Sequence, residues 1–429
     1  MRANIKATVL ATFLSLGFGT GIGPEAGATA SDGTAEWTRQ FGTRDADEAQ
    51  GVAVDRDGNA LVVGWVFGAL PGQPVAGMVD AFVRKYDPAG TELWTRQFGS
   101  SERDFARAVA LDGQGSSYVV GETHGILPGQ SSAGGYDAFV RKYDPDGIEL
   151  WTRQFGGGGG EGAWAVALDA EGNAFVVGTT RATLPGQTSA GSFDGFVRKY
   201  DAAGTELWTR QFGSAGAEGA RGVALDGDGD VLVAGSTDGA LPGQISAGGY
   251  DVYVRQFDTS GNDLWTRQFG SKADDYGVAV TIDPAGRVLV VGSADSALPG
   301  QSWAGGTDAF VRQFDLIGTE LWTQQFGTDT TDDAWGVAVD AVGASYVIGS
   351  TGDSLAGQAP AGESDFYVRR YDPSGQVSWT RQFGSGDTDL ALAVSLDASQ
   401  HPRVAGSTRG ALDGQRSVGG RDAFVMRLD

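Results

Sequence analysis

Short stretches rich in Val, Phe, Tyr, Trp and Thr alternate along the chain with brief turns containing Gly, Asp and Pro. No stretch repeats its apolar residues at the helical period. Gly51 to Asp55 (GVAVD) is one such strand, and Arg56-Asp57-Gly58-Asn59 after it is a hairpin turn. Ala60 to Val66 (ALVVGWV) is the second strand, followed by a long loop from Phe67 to Val79. Asp80 to Tyr86 (DAFVRKY) is the third, and Asp87-Pro88-Ala89-Gly90 has the Pro and Gly placement of a tight turn. Glu92 to Phe98 (ELWTRQF) is the fourth.

This unit recurs with a period of 57 residues. Trp37, Trp94, Trp151, Trp208, Trp265, Trp322 and Trp379 each open W-T-R-Q-F-G or W-T-Q-Q-F-G, and no insertion breaks the register. Acids recur at Asp47, Asp104, Glu161, Glu218, Asp275, Asp332 and Asp389, and again at Asp55, Asp112, Asp169, Asp226, Asp283, Asp340 and Asp397. Gln73, Gln130, Gln187, Gln244, Gln301, Gln358 and Gln415 form an invariant column, as do Asp80, Asp137, Asp194, Asp251, Asp308, Asp365 and Asp422. Such a period marks a repeat array. Four antiparallel strands in each of seven copies predict an all-β fold, a seven-bladed β-propeller. The last copy stops at Asp429 after its third strand, while an orphan fourth strand, Glu36 to Phe41, precedes the first full copy. The ring is expected to close by this N-terminal strand completing the last blade, which removes open sheet ends. A parallel β-helix is the runner-up, but its shorter coils have no use for the offset.

The copies W-T-R-Q-F-G…D-x-A-x-x-V-A-V-D-x-x-G-N-x-x-V-V-G…D-A-F-V-R-K-Y-D-x-x-G resemble the bacterial SBBP family, the seven-bladed β-propeller repeat, over about residues 35–429. The resemblance implies the propeller fold and an exported or surface protein. It implies no single activity.

Composition narrows the chemistry. With 31 basic and 54 acidic residues the net charge is −23, which opposes nucleic acid or an anionic membrane as partner through a general basic face. The absence of Cys excludes disulfides, thiolate zinc sites and Cys nucleophiles. Arg2 and Lys6, the apolar run Ala7 to Gly21, and Ala28-Thr29-Ala30 read as a signal peptide cut after Ala30. The expected organisation is therefore a signal peptide over 1–30 and a single propeller domain over 31–429. The product is expected to be secreted, extracellular or periplasmic, and monomeric, with no membrane span.

The seven Trp are expected to pack between blades, and Gly64, Gly121, Gly178 and their equivalents to mark a bulge or a close backbone approach. Arg84 and its column, broken by Met426, are expected to join Asp80 and the Asp47 column in a buried acid–Arg network. Catalytic motifs are missing: there is no G-x-S-x-G, and His124 and His401 fall on opposite rims. Asp226-Gly-Asp228-Gly-Asp230 lacks the Gly and Glu of an EF-hand loop, so no metal site and no cofactor are expected, with calcium in the acidic long loops as the alternative. The protein is therefore expected not to be an enzyme.

Strand order places the long Leu-Pro-Gly-Gln loops on one rim, where binding groups usually reside. The candidate ligand-binding residues there are the seven invariant Gln together with Tyr136, Phe193, Tyr250, Trp164, Trp303 and Trp335. They come partly from two columns that vary between copies, one preceding the invariant Asp and one running Gln50, Arg107, Trp164, Arg221, Val278, Trp335, Leu392. The leading expectation is a secreted binding scaffold that meets a protein or cell-surface glycan partner through the long-loop face. The alternatives are a multivalent lectin and a channel-sited hydrolase or lyase.

Overall fold

A computed structural model describes residues 33–429, so the signal-peptide reading lies outside the described residues. The described chain forms seven four-stranded antiparallel sheets. β1 spans Ala35–Phe41, and the first blade is β2 (Asp47–Val54), β3 (Ala60–Val66), β4 (Asp80–Tyr86) and β5 (Glu92–Phe98), hydrogen-bonded in that order. Blades 2 to 6 repeat this order, and blade 7 is Asp389–Leu396, Pro402–Thr408, Asp422–Leu428 and then β1. β1 pairs antiparallel with Asp422–Leu428 through Trp37↔Arg427 to Phe41↔Ala423. The turn beyond this pair is also rebuilt across the junction: Asp429 N–H donates to Thr34 O (3.0 Å) and Thr34 N–H to Asp429 Oδ1 (2.8 Å), as Asp87 and Thr91 do within blade 1.

Each letter of the W-T-R-Q-F-G signature has a mechanical role. Trp94 donates its indole N–H to Pro145 O (3.2 Å) and Arg96 its Nε–H to Gly147 O (2.8 Å), so both grip the turn of the next blade. Thr95 Oγ1 accepts from Arg84 Nε (2.8 Å). Gln97 donates to Gly68 O and Asp80 Oδ2 and accepts from Leu70 N–H, which ties the outer strand to the long loop of its own blade. Phe98 meets Phe139 of blade 2 edge to face at 5.8 Å. Gly99 lies against two carboxylates, and a Cβ there would meet Asp104 at 2.5 Å and Asp80 at 2.9 Å. The core follows this pattern: Leu61, Val63, Val83 and Phe98 of blade 1 pack with Val119, Leu127, Phe139 and Tyr143 of blade 2. Each apolar cluster lies between neighbouring blades, because a single blade cannot bury its own faces.

Two details differ from the sequence reading. β2 begins at Asp47, not Gly51, because a bulge between Ala49 and Gly51 interrupts the alternation. Gly64 lies opposite this bulge, and a Cβ there would stand 1.9 Å from Glu48 O. The expected acid–Arg network does not form. Arg84 pairs with Thr95 and Glu92 (3.6 Å) and stacks over Phe41 of the preceding blade at 4.3 Å. Asp80 and Asp47 accept instead from backbone amides of their own loops, Ala76 and Gly77 for Asp80, Thr43 and Phe67 for Asp47. Lys85 on the same strand does pair with an acid, Asp55, at 3.0 Å.

Candidate functional site

The bulge recurs in the innermost strand of every blade, and its extra residue is the variable column from Gln50 to Leu392. A bulge leaves one residue unpaired and re-aims its side chain. Here it turns the column onto the central channel, where Gln50, Arg107, Trp164, Arg221, Val278, Trp335 and Leu392 share the lining with Val52, Val109, Val223 and other valines.

Next to this channel mouth lies a groove of about 350 Å³ on the long-loop face, over blades 2 to 5. Tyr136, Trp164, Phe193, Tyr250 and Tyr276 wall it, with Glu122, Glu218, Arg221 and Ser236 among the polar lining. It opens because blades 3 and 4 carry Gly162 and Gly219 where the other copies have Glu48, Phe105, Tyr276, Asp333 and Leu390. A Cβ on Gly219 would meet only Thr179 Oγ1, at 3.4 Å, so this glycine is not demanded by crowding.

Trp164 is the centre of the groove's contacts. The Arg107 guanidinium lies 4.7 Å from its ring centroid and that of Arg221 4.4 Å. Arg107 is neutralised by Glu122 at 2.6 Å, whereas Arg221 has no carboxylate partner among the described residues. Burial, and then the neighbouring Arg107 charge, lower the Arg221 guanidinium from its ordinary value although the side chain faces the groove. His124 stacks on Tyr136 with centroids 5.1 Å apart, Tyr250 and Tyr276 meet at 5.4 Å, and Arg181 lies 4.4 Å over Phe193. Burial, helped by Asp238 and Asp274, raises the Tyr250 phenol, and burial with Asp274 and Asp295 raises that of Tyr276. Glu218 is engaged by the hydroxyls of Thr237 (2.7 Å) and Ser214.

Four candidate residues, Tyr136, Trp164, Phe193 and Tyr250, thus come together in one groove. Trp335 lies in the channel and donates to Ser350 Oγ at 3.1 Å. Trp303 stands apart in the blade 5 loop, half-exposed, donating to Gly306 O at 3.1 Å. The seven Gln act within the scaffold: the Oε1 of Gln73, Gln130, Gln187, Gln244, Gln301, Gln358 and Gln415 each accepts from the backbone N–H of the outer-strand Gln of its own blade, at 3.0–3.2 Å. The Asp226 loop is a hairpin turn in which Asp226 Oδ1 accepts from Asp228 and Asp230 N–H. Among the described residues no group of three or more His, Asp or Glu is placed to hold a metal ion, and no helix is long and apolar enough to cross a membrane.

The sequence reading did not single out Glu122, Arg181, Tyr276, Gly162 and Gly219. The available signal was divergence between copies: the columns of Glu48 and Trp65 also vary, and Gly162, Gly219 and Tyr276 of the first and Glu122, Thr179 and Ser236 of the second line the groove, while Arg181 of the equally variable Phe67 column lies beside it over Phe193.

Fold and channel together define a closed seven-bladed β-propeller with one unsymmetrical groove. The β-propeller repeat model of the SBBP family matches residues 36–65, 93–128, 207–242 and 264–299 of the chain. The chain is similar to the regulatory protein FlaEY of Caulobacter vibrioides, 26% identical over 392 residues, covering 81% of this chain and 41% of that protein. It is also similar to an uncharacterized WD repeat-containing protein of Acanthamoeba polyphaga mimivirus, 23% identical over 44% of this chain and 17% of that protein. The chain therefore spans less than half the length of either relative. Among solved structures, a PL25 ulvan lyase bound to -[GlcA(1-4)Rha3S]- matches 91% of this chain and 96% of its own at TM-score 0.53 and 11% identity. A second polysaccharide lyase matches 90% of each chain at TM-score 0.52 and 9% identity. At these identities the likeness is one of fold. It corrects one expectation. The missing catalytic motifs suggested a protein without enzymatic activity, but solved polysaccharide lyases share this fold.

Proposed function

We propose that the protein binds a carbohydrate polymer on its long-loop face, in the groove over blades 2 to 5. One observation carries this reading: side chains that differ between otherwise near-identical copies converge on a single aromatic-walled groove. Aromatic faces suit sugar rings, which present apolar C–H surfaces and hydroxyl edges. The polysaccharide lyases of the same fold support the choice of ligand. The groove is unsymmetrical, so binding follows one site per chain, unlike a lectin with seven equal sites. Export through residues 1–30 belongs to the same proposal and would put the site where polymeric glycans occur. Glycan-array screening followed by calorimetry tests it. The expected result is one saccharide site per chain, lost in Trp164→Ala. Seven equivalent sites, or a protein partner captured on this face with no glycan bound, contradicts it.

A second reading has its own observation, the stack of His124 on Tyr136 in a groove that also holds an unneutralised guanidinium. Such groups suit eliminative cleavage of a uronate polymer. The cation stabilises the carboxylate as His124 takes the C5 proton, the glycosidic C–O bond breaks with its oxygen receiving a proton from the Tyr136 hydroxyl, and a C4=C5 bond forms. New absorbance from unsaturated uronate ends, abolished in Tyr136→Phe or His124→Ala, is the corresponding assay.

A further inference from the structure

The polar groups around Trp164 are mismatched in kind. Its indole N–H and the Nε–H of Arg107 are buried without an acceptor, and Arg221 has no carboxylate partner among the described residues. Arg181, one blade-column outward over Phe193, likewise has no carboxylate within reach among the described residues. Two groups of the same kind on this face are satisfied. Trp335, at the position of Trp164 in blade 6, donates to Ser350, and Arg421 pairs with Glu48 at 2.7 Å. The acids nearby do not fill the gap, because Glu122 is committed to Arg107, Glu218 to two hydroxyls, and Asp238 and Asp274 to the amides of Ala217 and Tyr250.

A buried donor without an acceptor is costly, and an occupant of the groove that brings acceptors would relieve that cost. Guanidinium groups make their strongest hydrogen bonds to anionic acceptors, so the two without counter-charge favour an anionic occupant. The chain as a whole carries −23, so such attraction exists only locally and has to come from these residues. On the carbohydrate reading above, we propose that the bound polymer is acidic, with a carboxylate or sulfate oxygen received by Arg221 beside Trp164 and a second acidic group by Arg181. Arg107 is a positioning residue, which packs on the Trp164 ring while Glu122 holds it.

The test is titration of the full chain with polygalacturonate, a sulfated carrageenan and dextran at low ionic strength. Wild type is expected to bind at least one acidic polymer roughly tenfold or more tightly than dextran, and to weaken as salt rises. Arg221→Gln is expected to lose about tenfold in affinity for that polymer, Arg181→Gln to lose less, and both to melt within a few degrees of wild type, since each makes a ring contact but, among the described residues, no ion pair with the scaffold. Arg409→Gln, in the Arg181 column but on blade 7, is the control and should bind as wild type. The two acidic polymers tell carboxylate from sulfate. Equal binding of dextran, or an unaffected Arg221→Gln, overturns the acidic assignment and leaves the carbohydrate reading standing. Failure of every polymer to bind overturns that reading as well.

Discussion

Acidification should stabilise this protein between pH 7.5 and 4.5. Asp47 and Asp275 are fully buried at the junctions between blades, next to Asp422 and Asp251 of the preceding blades. Burial raises each carboxyl from 3.8 to about 6, against hydrogen bonds from Thr43 and Ser271 that pull it down. A group that titrates higher in the folded than in the unfolded chain binds its proton more tightly when folded. Its stabilisation is full below the unfolded value and lost as pH rises through the folded one. At pH 4.5 this amounts to about 2 kcal/mol for each group, roughly 4 kcal/mol for both, and a rise in Tm of about 5 °C for a chain of this length. Burial raises Asp104, Glu161 and Asp389 of the same column too, which adds in the same direction. Turn carboxyls such as Asp55, held low by hydrogen bonds from Asn59, oppose the trend only below about pH 4.5. Melting curves should be recorded at pH 7.5, 6.5, 5.5 and 4.5, then repeated in 1 M salt, where screening over about 3 Å removes general repulsion between surface charges. Asp275→Asn places a neutral amide beside Asp251, whose Oδ1 lacks a donor. This variant should melt above wild type at pH 7.5 and show a shallower pH dependence. A wild type that melts lower at pH 4.5 than at 7.5, or an Asp275→Asn variant that keeps the full slope, refutes the reasoning.

Other consequences can be measured separately. Deleting Ala35–Phe41 leaves the edge Asp422–Leu428 unpaired, so the truncated chain should melt lower and associate in sedimentation experiments. Gln154→Ala removes the donors to Gly125 O and Asp137 and the acceptor for Leu127 N–H, and should cost roughly 2–4 kcal/mol in urea unfolding. Trp151→Ala removes the packing against Tyr118 and the bond to Ala202 O, at a cost of ~3–5 kcal/mol in the same assay. Gly219→Tyr, which copies Tyr276 one blade on, should fill the groove and abolish saccharide binding while leaving the melting temperature within a few degrees.

Much of the fold was legible in the sequence because the repeat is strict. The invariant Trp spacing gave seven copies, and the orphan Glu36 to Phe41 strand gave the closure that β1 makes with Asp422–Leu428. The bulge was not legible, since Gln50 adds one residue to a strand whose pleat otherwise alternates, and so β2 was read four residues short. The role of Arg84 was misassigned for a related reason. An Arg and an Asp four positions apart suggest a pair, yet Asp80 is satisfied by backbone amides that sequence does not display. The candidate site was legible only in part. Invariance drew attention to the Gln column, and invariance between copies reports what every blade needs, here a backbone acceptor in each loop. Divergence was the better guide to the groove. Trp164, Tyr136, Phe193 and Tyr250 were found through it, while Gly162 and Gly219 escaped because their contribution is the space they leave.

The most direct measurement is a crystal structure of the protein with an acidic oligosaccharide of four to six units. The ligand should lie in the groove, one sugar ring on Trp164 and its acidic group at Arg221, with a single molecule per chain. Density on the Gln-bearing loops in several equivalent copies, or a ligand lodged elsewhere with the groove empty, would contradict the account.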